Sequence, residues 1–511
     1  MSGEYFTGVD AAWLHMDRPG NLAMIAGVMI FDTPILRPRL IEVVHERLLV
    51  YDRFRQRVRE PLLGLGLPRW EFDPHFDLDY HLQQIRLPAP GDQASLQRLV
   101  GDLMSQPLDR SRPLWQFYCV ENYAGGCALV PKLHHCIADG LALVQVLLAM
   151  TDAQPDVRVF QPPARPDRAT PARAELSPFR PLTQLVDTTT SVARTLTREA
   201  LFTLSEPARV TQAASLGALS INAASKLLLL PPDQKTILGG PCGVEKRVAW
   251  SAAIPLSEVL RVGRALHGTV NDVLLTAATG ALRRYMERRG QTVMGNVRAM
   301  VPVSIRASKD LRKLGNQFGL VILSLPVGAR DPLERMRLLK QRMDDIKGTP
   351  EALVAFSILS GMGLTPVQIE KIIVDIFAAK TSAVMTNVPG PRRPIYLAGQ
   401  RLNSLMFWVP RAGDIGLGLS IISYAGNVYV GIATDAGLMP DPQTIVDEYH
   451  AEFAEMVRLI TPSPSAFQSV KQPPASGRCQ ALTKAGVPCR NRALPNSEYC
   501  GVHARQLHPT A

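Results

Sequence analysis

The chain has no hydrophobic run long enough to cross a membrane, and it is poor in cysteine and in aromatic residues. Of its 511 residues, 7 are cysteine and 6% are aromatic. No stretch of about 18 or more apolar residues is free of charges, so we predict no transmembrane helix. The N-terminus shows no basic segment followed by an apolar core, and we expect no signal peptide. The cysteines are not spaced as a disulfide framework, which favours a reducing, cytoplasmic location.

Apolar residues are abundant, and the charge is mildly basic. Apolar residues make up 46% of the chain and charged residues 20%, which is typical of a globular protein with a sizeable core. The formal net charge is +11, and residues 471–511 supply +5 of it, from six basic side chains and one acidic one. Such an excess suits an anionic lipid surface or a phosphate-bearing cofactor. Nucleic acid is a further possible partner. A basic surface that is simply exposed to water is the simplest explanation of the charge taken by itself.

The most informative segment is HHCIADG, residues 134–140. An apolar run precedes it and a helix-like apolar run follows, so the pattern predicts a strand, a polar turn and a helix. A histidine on such a turn is a candidate general base, because its ordinary pKa is about 6.5. Asp139 is close enough to brace the turn, and Gly140 tolerates backbone angles that other residues resist. A pair of histidines without a chemical role is the alternative interpretation of these residues taken alone.

Composition divides the chain into five segments. Residues 1–150 and 246–460 each show the mixed strand and helix patterns of an α/β domain. Between them, residues 151–245 are rich in proline and arginine and then turn helical, which predicts a crossover linker with amphipathic helices. These helices would lie on a membrane surface or pack against the protein itself. A Pro/Ser-rich linker, 461–476, leads to a small tail, 477–507.

Further motifs follow one another along the two α/β segments. They are PLDRSRPLW at 107–115, TVNDVLL at 269–275, VPVS at 301–304, GNQF at 315–318 and TNVPGP at 386–391, with Asp10, Trp13, Leu14 and Met24 near the N-terminus. In this order, and together with HHCIADG, they resemble the bacterial bifunctional wax ester synthase/diacylglycerol acyltransferase family. The resemblance runs from about residue 8 to residue 460. Condensation domains of peptide synthetases share only the histidine motif, and no carrier-protein segment is visible.

The resemblance implies a fold and an activity. The fold would be two similar α/β domains of the CoA-dependent acyltransferase type, with mixed sheets, a long crossover and a tunnel between them. Acyl-CoA would enter at one mouth, and diacylglycerol or a long-chain alcohol at the other. The reaction would make triacylglycerol or wax ester and would need no cofactor. Because such products are insoluble in water, we expect peripheral contact with a membrane or a lipid droplet.

The resemblance also implies roles for individual residues. His135 would be the general base, His134 would support the turn, and Asp139 and Gly140 would shape it. Asn271 and nearby backbone N–H groups are candidates to stabilise the oxyanion. The alternative for Asn271 and Asp272 is a helix cap. The chain has no GxSxG nucleophile elbow, which disfavours a covalent acyl-enzyme.

The tail carries three cysteines and one histidine in a spacing that suits a metal. Cys479, Cys489, Cys500 and His503 match a Cys₃His zinc set in number and type. The segment has few large apolar residues, so it would need a structural Zn²⁺ to fold. It resembles small Cys₃His zinc-knuckle-like appendages. A disordered tail with incidental cysteines is the alternative, and contact with nucleic acid or protein is left open.

A non-catalytic function is the alternative to the enzyme. The chain could be a non-catalytic acyltransferase-fold scaffold or a lipid-binding protein that acts through its zinc tail. The intact HHxxxDG pattern favours the enzyme, because a scaffold has no need of paired histidines.

Overall fold

The structure is a computed structural model. It describes residues 4–61, 66–155, 227, 229–305, 314–347, 349–461, 477–494 and 497–507. Two compact units are present, Met1–Met456 and Val457–Ala511. Most of the predicted crossover with its amphipathic helices, residues 156–226, lies outside the described residues, as does the linker at 462–476. No helix in the described part of the chain is both long and apolar enough to span a bilayer.

The first part of the large unit alternates short helices and strands. Its helices are α1 (Gly8–His15), α2 (Arg37–Val43), α3 (Leu78–His81), α4 (Gln93–Met104) and α5 (Gly140–Ala149), and its strands are β1 (Met24–Phe31), β2 (Gln56–Arg59), β3 (Arg69–Phe72), β4 (Leu82–Arg86), β5 (Trp115–Tyr123) and β6 (Gly126–His134). All eight residues of β1 and all nine of β6 are buried. Their near-continuous apolar sequence therefore reflects a strand covered on both faces.

The second part of the large unit contributes the remaining strands. They are β7 (Lys246–Trp250), β8 (Ile254–Pro255), β9 (Val297–Ser304), β10 (Phe318–Leu325), β11 (Ala383–Pro389), β12 (Tyr396–Leu397), β13 (Gln400–Trp408), β14 (Leu417–Tyr424) and β15 (Asn427–Asp435). The helices are α6 (Leu256–Ala265), α7 (Val270–Arg288), α8 (Pro332–Lys347), α9 (Glu351–Met362), α10 (Val367–Ala378) and α11 (Pro442–Ile460). The sequence pattern of the second α/β segment predicts helices at 269–288, 331–347 and 366–379, and these agree with α7, α8 and α10 to within one residue at each end.

Two large sheets form the framework, and both are mixed. The first has the order β12-β13-β1-β6-β5-β4, in which β4 and β5 are parallel and the β1–β6 pair is antiparallel. The second has the order β10-β9-β11-β14-β15-β7, with β8 also paired to β15. Strand β11 runs parallel to both of its neighbours. The predicted α/β fold class with mixed sheets is confirmed.

Two strands of the later sequence, β12 and β13, join the sheet of the earlier sequence. Strand β13 pairs antiparallel with β1, with Ala26 opposite Trp408 and Phe31 opposite Leu402. The sequence predicts no strand for β13, which falls within the predicted second domain, residues 246–460. Its buried residues do not alternate regularly with exposed ones, so the strand pattern is weak. Its partner is nearly 400 residues away, and no local pattern encodes that pairing.

A buried lysine ties the two parts of the large unit together. The Lys246 Nζ, at the start of β7, donates to the carbonyl oxygens of Gly20 and Gly243, each at 2.7 Å, and to Asp435 Oδ2 at 2.8 Å. The two charged side chains are 4% and 1% exposed. Burial lowers the pKa of Lys246, while the hydrogen bond to Asp435 opposes the shift. An unpaired charge at this position would be costly, so each partner depends on the other.

We predict that Lys246→Ala destabilises the protein by about 3–5 kcal/mol, because it leaves the Asp435 carboxylate buried without its cation. The matched control is Lys340→Ala. Lys340 pairs with Asp344 at 3.3 Å, but both side chains are more than 40% exposed, and we expect a loss of less than about 1 kcal/mol. The free energy of unfolding would be measured by urea denaturation, and equal losses in the two variants would contradict the prediction.

Candidate active site

The HHCIADG segment forms the predicted strand, turn and helix. Strand β6 ends at His134, and α5 begins at Gly140. Gly140 does not adopt a left-handed backbone conformation, so the expectation that it serves an unusual angle is wrong. Instead, a Cβ placed on Gly140 would meet no atom of the described residues within 4 Å.

The His135 ring is enclosed by aromatic side chains. It stacks on Trp13 of α1, with ring centroids 4.1 Å apart, and meets the edge of Phe318 of β10 at 5.5 Å. Burial lowers the pKa of His135 to about 3, although the charge of Asp139 opposes the shift. The imidazole is therefore neutral at physiological pH, and a neutral imidazole is the form that accepts a proton.

His134 is held by a different set of contacts. Its Nδ1 accepts from the Cys136 backbone N–H at 3.2 Å, and its Nε2 lies 3.3 Å from Asp17 Oδ2. The Arg110 guanidinium, from the PLDRSRPLW motif, reaches the same Asp17 oxygen at 3.3 Å. Burial favours a higher pKa for Asp17, but the hydrogen bond and charge of His134, the Ala23 amide and Arg110 together lower it. These contacts support a role for His134 in holding the turn.

Asp139 links the turn to the GNQF segment. Its Oδ1 caps α5 by accepting from the Ala142 N–H at 2.8 Å, and its Oδ2 accepts from the Gln317 N–H at 2.9 Å. Next to it, Ala138 pairs with Gly315 in a parallel β-bridge. The carboxylate thus orients the backbone on both sides of the site.

Asn316 completes the link and was not assigned to the site from the sequence. Its Nδ2 donates to the His135 carbonyl oxygen at 2.9 Å and to Asp10 Oδ1 of α1 at 2.8 Å. Both side chains are buried, and burial raises the pKa of Asp10 against the hydrogen bond from Asn316. Trp13, Phe318, Asp10 and Asn316 all belong to the quoted motifs. Membership of the motifs was the sequence feature that could have assigned these residues to the site. Residues 10 and 316 are too far apart in sequence for their spacing to predict a contact.

Asn271 and Asp272 lie at the start of α7 and form a separate cluster. Asp272 Oδ2 accepts from the Thr269 N–H at 2.7 Å, and Thr269 Oγ1 accepts from the Asp272 N–H at 3.2 Å, which is a capping box. Asn271 Oδ1 accepts from Asn387 Nδ2 of the TNVPGP motif at 2.6 Å. Within the described residues, no hydrogen bond or ion pair joins this cluster to the two histidines.

The small unit brings the four predicted metal ligands together. The ligand atoms of Cys479, Cys489, Cys500 and His503 all lie within 4.8 Å of one another. The Cys489 and Cys500 sulfurs are 3.9 Å apart, and His503 Nδ1 lies 3.3 Å from Cys500 Sγ and 3.4 Å from Cys479 Sγ. A tetrahedral zinc site places two sulfurs about 3.8 Å apart, and a sulfur and a nitrogen about 3.5 Å apart. The donor set fits Zn²⁺ in ligand type and spacing.

Comparison with known families identifies the large unit. The family model of the wax ester synthase/diacylglycerol acyltransferase catalytic domain matches residues 6–274, and the model of the WS/DGAT C-terminal domain matches residues 314–457. The chain belongs to the wax ester synthase/diacylglycerol acyltransferase family. The predicted family and the enzyme class, an acyltransferase, are therefore confirmed.

Relatives of this WS/DGAT family member cover nearly its whole length. "Probable diacyglycerol O-acyltransferase tgs1" of Mycobacterium tuberculosis is 30% identical over 464 residues, which is 89% of this chain and 96% of that protein. Among solved structures, a wax ester synthase/diacylglycerol acyltransferase from Marinobacter aquaeolei VT8 matches with a TM-score of 0.64 and 20% identity, over 89% of this chain and 99% of the other. The first condensation domain of the calcium-dependent antibiotic synthetase matches with a TM-score of 0.56 and 15% identity, over 89% and 97%. Both structures share the fold.

The lowered pKa of His135 has a consequence for this WS/DGAT enzyme. A histidine whose pKa falls from 6.5 to about 3 stays neutral when the pH drops through 6 and 5. We therefore predict that kcat/KM does not fall with an apparent pKa near 6.5 on the acid side. Initial rates between pH 5 and 8, with the fold checked by circular dichroism at each pH, would test this. An acid limb near pH 6.5 in a protein that stays folded at that pH would contradict it.

Proposed function

We propose that this enzyme transfers a fatty acyl group from acyl-CoA to diacylglycerol, which yields triacylglycerol, with His135 as the general base. The observation that carries the proposal is the neutral imidazole of His135 on the HHxxxDG turn, enclosed by Trp13 and Phe318. Membership of the WS/DGAT family and the name of the mycobacterial relative support the substrate class. A long-chain alcohol, giving wax ester, is the second acceptor we propose, since the Marinobacter enzyme bears both names.

The reaction needs one proton acceptor and one site for negative charge. The imidazole takes the proton of the acceptor hydroxyl while the oxygen attacks the thioester carbonyl, which forms the new C–O bond. The C–S bond of the resulting tetrahedral intermediate then breaks, and the departing CoA thiolate takes the proton back from the imidazolium. Backbone N–H groups and Asn271 are our candidates to stabilise the oxyanion. The nearby charge of Asp139 favours the transient imidazolium.

The walls of the site favour acyl transfer over hydrolysis. Trp13 and Phe318 cover two sides of the imidazole with apolar surface. Water that reached His135 would be activated in the same way as an alcohol, and the thioester would be lost by hydrolysis. Excluding water is therefore part of what these side chains do.

The acceptor is a lipid, and we propose that the protein meets it at a membrane or lipid-droplet surface. Helix α10 exposes Ile369, Ile372 and Ile376, each about half exposed or more, on one face. On its buried side, Glu370 Oε2 lies 3.0 Å from His15 Nδ1 of α1, the helix that also carries Trp13. Helix α10, which carries the apolar face, therefore contacts the helix whose Trp13 stacks on the His135 imidazole. The net charge of +11 suits an anionic surface.

We also propose that the small unit binds one structural Zn²⁺ through its Cys₃His set. Backbone hydrogen bonds from His503 and Val502 lower the pKa of Cys500 to about 6, which favours the thiolate that a metal requires. The unit has few other apolar side chains to hold it together. Whether this unit contacts nucleic acid or protein is a separate question from acyl transfer.

We predict that His135→Ala abolishes acyl transfer, with a loss of at least about 10²-fold in kcat, because no other group replaces the proton acceptor. The assay uses labelled palmitoyl-CoA with dioleoylglycerol or hexadecanol, and the better acceptor defines the substrate class. The control is His45→Ala, since His45 is an exposed histidine and its loss should leave the rate unchanged. Wild-type turnover by a folded His135→Ala variant would refute the proposed mechanism.

We predict about one zinc per chain in the purified protein and markedly less in Cys500→Ser, because a hydroxyl is a poor zinc ligand. Acyl transfer should change little, since the catalytic residues lie in the other unit. Cys119→Ser serves as the control, because Cys119 lies on β5 outside the cluster. Metal content would be measured by atomic emission. Equal zinc in all three proteins would rule out this assignment.

A further inference from the structure

The hydrogen bonds of Asn316 fix the orientation of its side-chain amide. Its Nδ2 donates to Asp10 Oδ1 at 2.8 Å and to the His135 carbonyl oxygen at 2.9 Å, so both of its hydrogens are used on acceptors. A flipped amide would place Oδ1 against a carboxylate and a carbonyl, which is repulsive. The oxygen of Asn316 therefore points away from these two partners, and it is buried without a donor among the described residues.

A second unpartnered polar atom belongs to His135, the residue whose carbonyl oxygen Asn316 binds. The Nδ1 of His135 is also buried and has no partner that meets hydrogen-bond geometry in the described chain. The side chain of Asn316 opposes the burial that lowers the pKa of His135, and its Nδ2 is 2.9 Å from the carbonyl oxygen of the same residue. The backbone carbonyl of His135 itself is the other acceptor near the ring. A buried donor or acceptor left unpaired is costly, so a small shift that joins the two is favourable.

We propose that Asn316 Oδ1 accepts the Nδ1–H of His135 and thereby holds the imidazole in the tautomer whose Nε2 carries the lone pair. This inference rests on the proposed function, in which His135 is the base. Asn316 touches neither substrate in this account and is a positioning residue.

The tautomer decides whether the ring works as a base. A neutral imidazole has one N–H, and only the other nitrogen accepts a proton. With the hydrogen on Nδ1, the buried Nδ1 donates to Asn316 Oδ1. The lone pair of Nε2 then accepts the proton of the alcohol. With the hydrogen on Nε2, the buried Nδ1 and Asn316 Oδ1 would face each other as two acceptors. The stacking on Trp13 and the edge contact with Phe318 hold the ring plane but do not distinguish the two nitrogens.

Two variants of Asn316 separate this role from a merely structural one. Asn316→Leu has similar volume but no acceptor, and we expect kcat to fall about 10²-fold with KM for acyl-CoA within about threefold. Asn316→Asp keeps an acceptor oxygen, while Asp10, whose pKa is already raised by burial, holds the proton that the two carboxyl groups share. The added charge raises the pKa of His135. We therefore expect Asn316→Asp to exceed Asn316→Leu in kcat and to show an acid limb at higher pH than the wild type.

The chain offers a matched control in Asn21. This asparagine is also buried, and its Nδ2 donates to the carbonyl oxygens of Gly413 at 2.7 Å and Ile415 at 3.1 Å, in the later half of the sequence. Asn21→Leu thus removes the same chemistry at a second junction of the two halves. We expect it to lower the melting temperature as Asn316→Leu does, with kcat and the pH profile unchanged.

The tautomer itself is measurable without any assay. In ¹⁵N-histidine-labelled full-length protein, the resonances of His135 are those that vanish in His135→Ala. We expect the Nδ1–H form in the wild type and a shift toward the Nε2–H form in Asn316→Leu. An unchanged tautomer in Asn316→Leu would show that the backbone carbonyl suffices and would overturn the proposal, as would a wild-type pH profile in Asn316→Asp. Failure of the proposed function would appear differently, as full activity in His135→Ala.

Discussion

The junction between the HHCIADG turn and the GNQF segment is the constraint on which the site depends. Across it, Asp139 accepts from the Gln317 N–H, Asn316 donates to the His135 carbonyl, and Ala138 pairs with Gly315. Each half of the large unit therefore supplies one side of the site, and neither contains it alone. The aromatic enclosure follows from the same junction, because Phe318 begins the strand that continues the GNQF segment.

Burial at this junction has two opposed effects on the chemistry. It keeps the imidazole neutral, which suits the role that we propose for His135 as the base in acyl transfer to an alcohol. It also makes every unpaired polar atom expensive, so the surrounding groups are arranged in pairs: Asp17 with His134 and Arg110, and Asp10 with Asn316. A low dielectric strengthens these pairs and makes them sensitive to the loss of any one member.

Local features were predictable from the sequence, and long-range contacts were not. The strand, turn and helix around the histidines follow from apolar runs on either side of a polar motif. Helix α7 was expected with Asn271 or Asp272 as its cap, whereas the structure has Thr269 as the N-cap, in a capping box with Asp272. The Cys₃His cluster follows from ligand type. The insertion of β13 beside β1 and the contact between Asp10 and Asn316 join residues more than 300 positions apart. Sequence spacing carries no information at that distance, so the position of Asn316 in a motif indicated importance without showing a role.

The pairing of β13 with β1 also affects how the chain folds and whether it can be divided into independent domains. Strand β1, with the sequence MIAGVMIF, lies between β13 and β6. A fragment that ended in the crossover would leave one side of β1 as a bare apolar edge, and edges of that kind recruit other chains. The first half of this protein is therefore not an independent domain. During synthesis, its central strand stays incomplete until almost 400 further residues have been made.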